Sequence, residues 1–314
     1  MLKFISQRVL MAVPVLLLVS LFTFLLLDLL PGDAAVAIAG ENATEEQIAL
    51  TRERLGLDSP FLERFWNWVS SAAQGDLGTS LYTGQSVTEA IGERLPVTAS
   101  LGLVALLMAV VVAIPLGAIA ATRPGSLADR VVISATSLAM AVPPFVLGLV
   151  LVVVFAIQLQ FLPATGYTAI AEEGLWGWLS HLILPAIAVA GIMAAELARQ
   201  TRGALLDALS QSYVRTAKAR GLRPPTVVGK HALKNAATPI VTVLALQIGH
   251  VLGAAVTVEF VFAIPGFGSL AVNAVNLRDV PLIQGVVFVS ALVVLAANLL
   301  ADVVYGYLNP KLRV

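Results

Sequence analysis

No cysteine occurs in the chain, which excludes disulfides and thiolate metal sites. Charge is scarce: Asp, Glu, Lys and Arg make up 12% of the residues, against about 25% in a soluble domain. The phosphate-cradling G-x-x-x-x-G-K-[ST] pattern is missing. Its nearest approach, Gly229-Lys230-His231, lacks the hydroxyl that would hold magnesium. The chain is therefore not expected to bind or hydrolyse ATP itself. No H-E-x-x-H occurs, and His181, His231 and His250 stand far apart without a carboxylate at ligand spacing, so neither a metal nor any other cofactor is expected. An intramembrane serine protease is disfavoured as well, because Ser269 follows Gly268 but no histidine follows His250. Basic and acidic residues balance at 19 each. That balance says nothing of nucleic acid, since the charges separate by membrane side instead, and no nucleic-acid partner is expected.

What the chain has in quantity is apolar length. Hydrophobic residues are 58% of the total, and the mean hydropathy is +0.90. Six stretches, 9–30, 97–121, 131–157, 182–199, 239–262 and 283–307, can each cross a bilayer at roughly 20 residues per crossing. Helices are expected, since lipid cannot satisfy an open backbone and the short alternating strands of a barrel are absent. The first stretch follows the basic lead MLKFISQR and is longer than a signal-peptide core of about 7–15 residues, so a retained span is expected although Ala35-Val36-Ala37 mimics a cleavage site. With the N-terminus inside, the inner segments hold 14 Lys and Arg (Lys3, Arg8, Arg123, Arg130, eight within 199–238, Lys311, Arg313). The outer segments hold five: Arg52, Arg54, Arg64, Arg94 and Arg278. By the positive-inside rule both termini are cytoplasmic and the lipid bilayer is the first partner.

The outer excursion 31–96 carries ten acidic residues together with Trp66 and Trp68. Within it, TEEQIALTRERL predicts a helix over 44–55 capped by Thr44 and stopped by Gly56, and FLERFWNWV predicts a second, aromatic-faced helix lying on the membrane surface or a neighbouring span. Pro115 and Pro143-Pro144 predict kinks in the second and third spans.

The basic island 199–238 is too long and too patterned for a connector. Leu205 to Arg220 lacks Pro and Gly and predicts one helix, with Tyr213, Val214, Ala217 and Gly221 on one face and Arg215, Lys218 and Arg220 elsewhere. Gly221 permits a left-handed cap, and Pro224-Pro225 forbid continuation. A second helix is expected over 226–237, until Pro239 opens the next span. Small residues at Ala217, Ala219 and Gly221 would admit a partner surface closely. The island reads as a docking surface for a soluble partner; holding topology against anionic lipid is the plainer alternative.

The same segment resembles the cytoplasmic loop of importer-type ABC transporter permeases, whose motif is EAA-x3-G followed by I-x-L-P. Aligned on Gly221, Arg215 replaces the leading Glu, Thr216 fills the next position, and Ala217, Lys218, Ala219, Arg220 and Leu222 complete the run. His231-Ala232-Leu233-Lys234 replaces I-x-L-P without its proline. This form is similar to the peptide/nickel branch. LLPGDAA at 29–35, LGLDSPFLERFWNWV at 55–69, GDLGTSL at 75–81 and VEFVFAIPGFGSL at 258–270, with Glu259, Pro265, Gly266 and Gly268 in register, also match that branch. The likeness is to the first of two permease chains of an oligopeptide or dipeptide importer.

The resemblance implies an all-α, six-span type I importer fold. It implies a first span with outer segment over 1–96, a core over 97–307 and a cytoplasmic tail over 308–314. It also implies a second homologous permease, two cytoplasmic ATPases that bind the ATP and Mg, and an extracytoplasmic solute-binding protein, in a bacterial inner membrane. Tyr213 to Leu222 would then be the ATPase-coupling helix. Polar residues within spans default to functional candidates. Among Glu196, Gln247, His250, Glu259, Asn298 and Asp302, the pathway or gate is assigned to Gln247 and Glu259, with Pro265 and Gly266 beside them. Ion-coupled secondary transport is the alternative, although no internal repeat favours it.

Overall fold

The computed structural model describes residues 2–28, 36, 44–54 and 58–308. The LLPGDAA motif, Gly56 and tail residues 309–314 lie outside the described residues. Eleven helices carry the described fold, and no strand occurs among those residues beyond one isolated bridge, Thr79 to Ser86.

Helix α1 spans Leu2–Asp28. The outer segment then forms α2, Glu45–Arg54, and α3, Phe61–Ala73. Thr44 closes a reciprocal cap on α2: Gln47 N donates to Thr44 Oγ1 at 3.3 Å and Thr44 N donates to Gln47 Oε1 at 3.0 Å. The aromatic face of α3 chooses a span rather than the membrane surface. Phe24 of α1 meets Phe61, Phe65 and Trp68 edge-on, with ring centroids 5.4 to 6.5 Å apart. Trp66, on the opposite side, is exposed.

The second span, α4, runs over Val87–Thr122 and so begins well before residue 97. Pro96 and Pro115 lie inside it without ending it. Its inward face is a ladder of small residues, Ala105, Ala109, Ala113 and Gly117, at every fourth position. A Cβ at Gly117 would sit 2.6 Å from Ala198 O and 2.7 Å from Thr201 Cβ. Small side chains here let two backbones approach, which is how helices associate where the hydrophobic effect gives little. Leu103, Leu107 and Val111 point away from that contact and are exposed.

The third span is broken rather than kinked. Helix α5, Leu127–Ala141, and α6, Pro144–Leu151 with its π-helical continuation Val152–Gln158, meet at 100°. Val142 and Pro143 are extended, because each precedes a proline whose ring excludes the helical conformation. The two halves still join opposite ends of the bundle. Asp129 at the start of α5 contacts the far extension of the fourth span, whereas Gly166, after α6, donates its N–H to Phe262 O at 2.8 Å, at the other end of the fifth. Among the described residues five helices are long and apolar enough to cross a membrane unaided, and the bent α5–α6 pair, counted as one span, makes six.

Helix α7 covers Ile170–Ser210, so the fourth span extends well beyond residues 182–199, with a kink at Gly174 (φ +69°). Pro185 is buried within it. After it come α8, Ser212–Ala219, a helical turn at Pro224–Thr226, a π-helical stretch Val227–Ala232, and α9, Leu233–Val261. Pro239 falls inside α9 and does not open it: Ala232, Ala236 and Ile240 pack on Leu205 and Ala208 of α7, and that packing carries the helix through. Helix α10, Phe267–Leu277, fills the loop expected between the last two spans, and α11, Val280–Leu308, completes the bundle. Arg8 and Asp302 pair at 3.0 Å, placing the start of α1 and the far part of α11 at one end.

The main core lies where α4, α6, α7 and α9 converge, around Leu101, Leu182, Leu184, Val189 and Phe262. Another cluster, Leu77, Val87, Ile91, Phe267 and Leu282, seals the end opposite the Arg8–Asp302 pair.

Candidate functional site

The basic island is not one helix. Gln211 adopts an extended conformation (φ −70°, ψ 152°) and splits the expected run 205–220 into the end of α7 and the separate helix α8. The turn swings α8 so that Val214 (0% exposed) and Ala217 (7%) pack on Val227 and Leu209. Tyr213 was expected on one face with Val214 and Ala217, yet it is 38% exposed while they are buried. Ala217 is occupied by this packing and so offers no space to a partner.

The far end of α8 closes as the sequence demands. Gly221 takes φ +77°, and its N–H donates to Lys218 O at 2.9 Å while Leu222 N donates to Ala217 O at 3.3 Å. This pair of bonds around a left-handed glycine is the Schellman arrangement. Arg223 is extended ahead of Pro224-Pro225. Tyr213, Arg215, Thr216, Lys218, Ala219, Arg220, Gly221 and Leu222 are all exposed on this small, rigidly closed unit. No Asp or Glu occurs between Asp207 and Glu259, so every charge on the exposed face is positive, with the large apolar side chains Tyr213 and Leu222 among them.

The four pathway candidates separate. Gln247 is 3% exposed; its Nε2 donates to Met193 O at 3.1 Å and to Glu196 Oε2 at 3.3 Å across the α7–α9 contact. Glu259 is completely buried. Both were expected to line the path, and burial keeps both side chains off any open surface in this conformation. Pro265 is exposed and Gly266 is buried.

Glu259 instead organises the outer signature. Its carboxylate accepts from Thr98 Oγ1 on α4 and from Ser269 N at 2.9 Å, and Phe267 N in turn donates to Thr98 Oγ1 at 2.8 Å. A carboxylate from one helix thus caps the N-terminus of another, where free N–H groups and the helix dipole favour negative charge. The glycines of the signature are there for space. A Cβ on Gly266 would collide with the Glu259 carboxyl, and one on Gly268 would come within 2.6 Å of Val256 Cα. Asp279 repeats the device. It is 1% exposed, accepts from Ser80 Oγ at 2.5 Å and Leu81 N at 3.4 Å, and receives Leu282 N at 3.3 Å at the start of α11. Asp279 was not singled out in the sequence, although its position just before an apolar helix is a capping signal.

One face of α9 also escaped the sequence reading. Leu246, His250, Gly253, Thr257 and Phe260 recur at alternating steps of four and three and are all exposed, and Glu196 on α7 is exposed beside Gln247. His250, Thr257 and Glu196 are its polar members, and polar groups within spans are costly against lipid. His181 is spoken for elsewhere, its Nδ1 lying 2.9 Å from Gly177 O. Among the described residues no group of His, Asp and Glu could hold a metal ion.

Known proteins match the chain along its length. Residues 113–314 match the family model described as "Binding-protein-dependent transport system inner membrane component", and residues 1–102 match its N-terminal companion. A Sinorhizobium fredii protein named "Probable peptide ABC transporter permease protein y4tP" is 41% identical over 311 residues, covering 99% of both chains. The Escherichia coli protein named "Glutathione transport system permease protein GsiC" is 38% identical over 313 residues, covering 100% of this chain and 99% of the other. A chain of the MetNI methionine ABC transporter, solved in inward-facing conformations, superposes with a TM-score of 0.58 at 16% identity, covering 70% of this chain and 96% of that one. At that identity the last likeness speaks for the fold alone.

Proposed function

The chain belongs to the family of binding-protein-dependent transport system inner membrane components, as a permease subunit of an ABC importer, and from that premise we propose how it works. It pairs with a second, homologous permease and forms the path for peptides between them. The exposed polar residues His250 and Thr257 of α9, with Glu196 of α7, support a face that meets this path or the second permease rather than lipid. Two cytoplasmic ATPases, which bind the ATP and Mg, dock beneath, and a solute-binding protein delivers cargo from outside. The chain sits in the bacterial inner membrane with both termini cytoplasmic, as its distribution of Lys and Arg supports. The family gives no support to ion-coupled secondary transport.

The observation that carries this reading is α8. It is short, capped at its far end by the left-handed Gly221, wedged by Val214 and Ala217, and wholly exposed on its cationic side. A unit closed in this way can be displaced without unravelling. ATP binding draws the ATPases together, each ATPase carries one permease's coupling helix with it, and the spans rock between inward and outward openings. ATP and cargo must each favour one of those states, since equal affinity for both shifts nothing.

Reversing the charge of the surface with Arg215→Glu and Lys218→Glu leaves the packing face untouched. Peptide import into proteoliposomes by the assembled complex should fall by about tenfold or more, a usual scale for coupling between sites, while membrane insertion stays unchanged. Unaltered import by the double variant would refute the docking role.

A further inference from the structure

An ion pair with a buried carboxylate, on the stretch of α7 that leads to α8, belongs to none of the features above. Arg202 Nε donates to Asp129 Oδ1 at 2.6 Å and Arg202 Nη2 donates to Asp129 Oδ2 at 2.8 Å. The Asp129 side chain is 3% exposed and that of Arg202 25%. Gly125 N donates to Asp129 Oδ2 at 2.8 Å, from a turn that needs the positive φ (+78°) of Gly125, and Ser126 Oγ caps Asp129 N at 3.3 Å. The carboxylate is therefore fully engaged, and the turn 123–126 is fixed around it.

The place of this pair is what matters. Arg202 stands on α7 about two turns before the helix ends at Ser210, with only Gln211 between α7 and α8. Asp129 stands in the first turn of α5, the half of the broken third span that lies outside the main core. The other half, α6, is locked into that core, where Gly148 lies under the Phe262 ring and Leu151 is buried. Helix α5 buries only Asp129, Val132 and Thr136, one narrow stripe, and its far end is touched by Arg199 Nη2 at the Met140 sulfur. Two arginines of α7 thus hold α5 on one side of a 100° bend.

We propose that Asp129 and Arg202 are positioning residues for transport: their forked pair transmits the displacement of α8 to α5 and turns α5 about the bend at 141–144. The proposal rests on the reading of α8 as the coupling helix. A two-bond fork fixes direction as well as distance, which a single ionic contact does not. A buried pair is seldom more stabilising than apolar residues of the same size, so stability alone gives little reason for its presence at this joint. Lysine at 202 would keep the charge and lose the fork.

The test uses the whole complex with its binding protein in proteoliposomes, with trialanine as the probe and the number of assembled complexes measured for each variant. The readout is trialanine imported per ATP hydrolysed, which a merely structural role would not move once assembly is equalised. Asp129→Asn and Arg202→Lys should each lower that ratio by about tenfold while ATP hydrolysis continues, and the exchange Asp129→Arg with Arg202→Asp should restore much of it. An unchanged ratio in either single variant overturns the proposal. So does failure of all three to assemble, since the pair would then be structural only. Lys218→Glu on α8 keeps the two readings apart. If it imports normally, the docking reading fails and takes this proposal with it; if it abolishes import while Asp129→Asn and Arg202→Lys leave the ratio unchanged, the docking reading stands and this proposal alone falls.

Discussion

The Glu259–Asp279 network and the α8 unit are built on different principles. Glu259 and Asp279 are buried and tie α4, α9, α10, α11 and the loop at Ser80–Leu81 together through backbone and hydroxyl donors. Helix α8 rests on a three-residue apolar contact, Val214, Ala217 and Val227, with no buried carboxylate of its own. Buried polar networks fix one arrangement, because shifting any member strands the others without partners. A small apolar contact fixes shape locally and leaves the unit free to travel with what holds it. The network is suited to keeping one form, and the α8 unit to moving as a body under the proposed coupling role.

The contrast can be broken most directly at α8, the proposed handle. Gly221→Pro cannot reach φ +77° and removes the N–H bonded to Lys218 O, so import should be abolished with membrane insertion intact. Ala217→Glu should do the same by forcing a carboxylate against Val214 and Val227. Import by reconstituted complexes, set against the amount of inserted permease, checks both. In the Glu259–Asp279 network the loss should appear as stability. Glu259→Ala strands Ser269 N and Thr98 Oγ1, and should cost about 3 kcal/mol, read from thermal unfolding in detergent. Ser80→Ala, which removes one of three donors to Asp279, should cost about 1 kcal/mol by the same measurement. Finally, Thr216→Ala, whose hydroxyl only returns to Ser212 O on an exposed surface, should change stability by less than about 0.5 kcal/mol.

Much of this was legible in the sequence because hydropathy and helix punctuation are local signals. The apolar runs, the Thr44 cap, the left-handed Gly221 and the stop at Pro224-Pro225 all depend on neighbours in the chain, and each has a counterpart in the structure. What was not legible depends on distant contacts. Pro239 reads as a helix opener until Ala236 and Ile240 are seen against α7. Tyr213 and Val214 are indistinguishable by spacing until Val227 folds back onto one of them. Glu259 and Gln247 read as path residues because a polar group in a span needs a purpose. The purpose of Glu259, a cap on a helix lying eight residues further along the chain, is invisible without the fold. The break in the third span was signalled by Pro143-Pro144, but not its angle, which depends on how α6 packs against Phe262.

The absence of cysteine makes the decisive measurement simple. Ala219 is exposed on α8, so Ala219→Cys gives the permease a single thiol on the proposed docking face. Maleimide labelling of that permease, compared between the complete complex and the permease pair stripped of its ATPases, reads whether the face is covered. Strong labelling of the stripped pair with protection in the complex is the predicted result. Equal labelling in both would mean that nothing grips the handle.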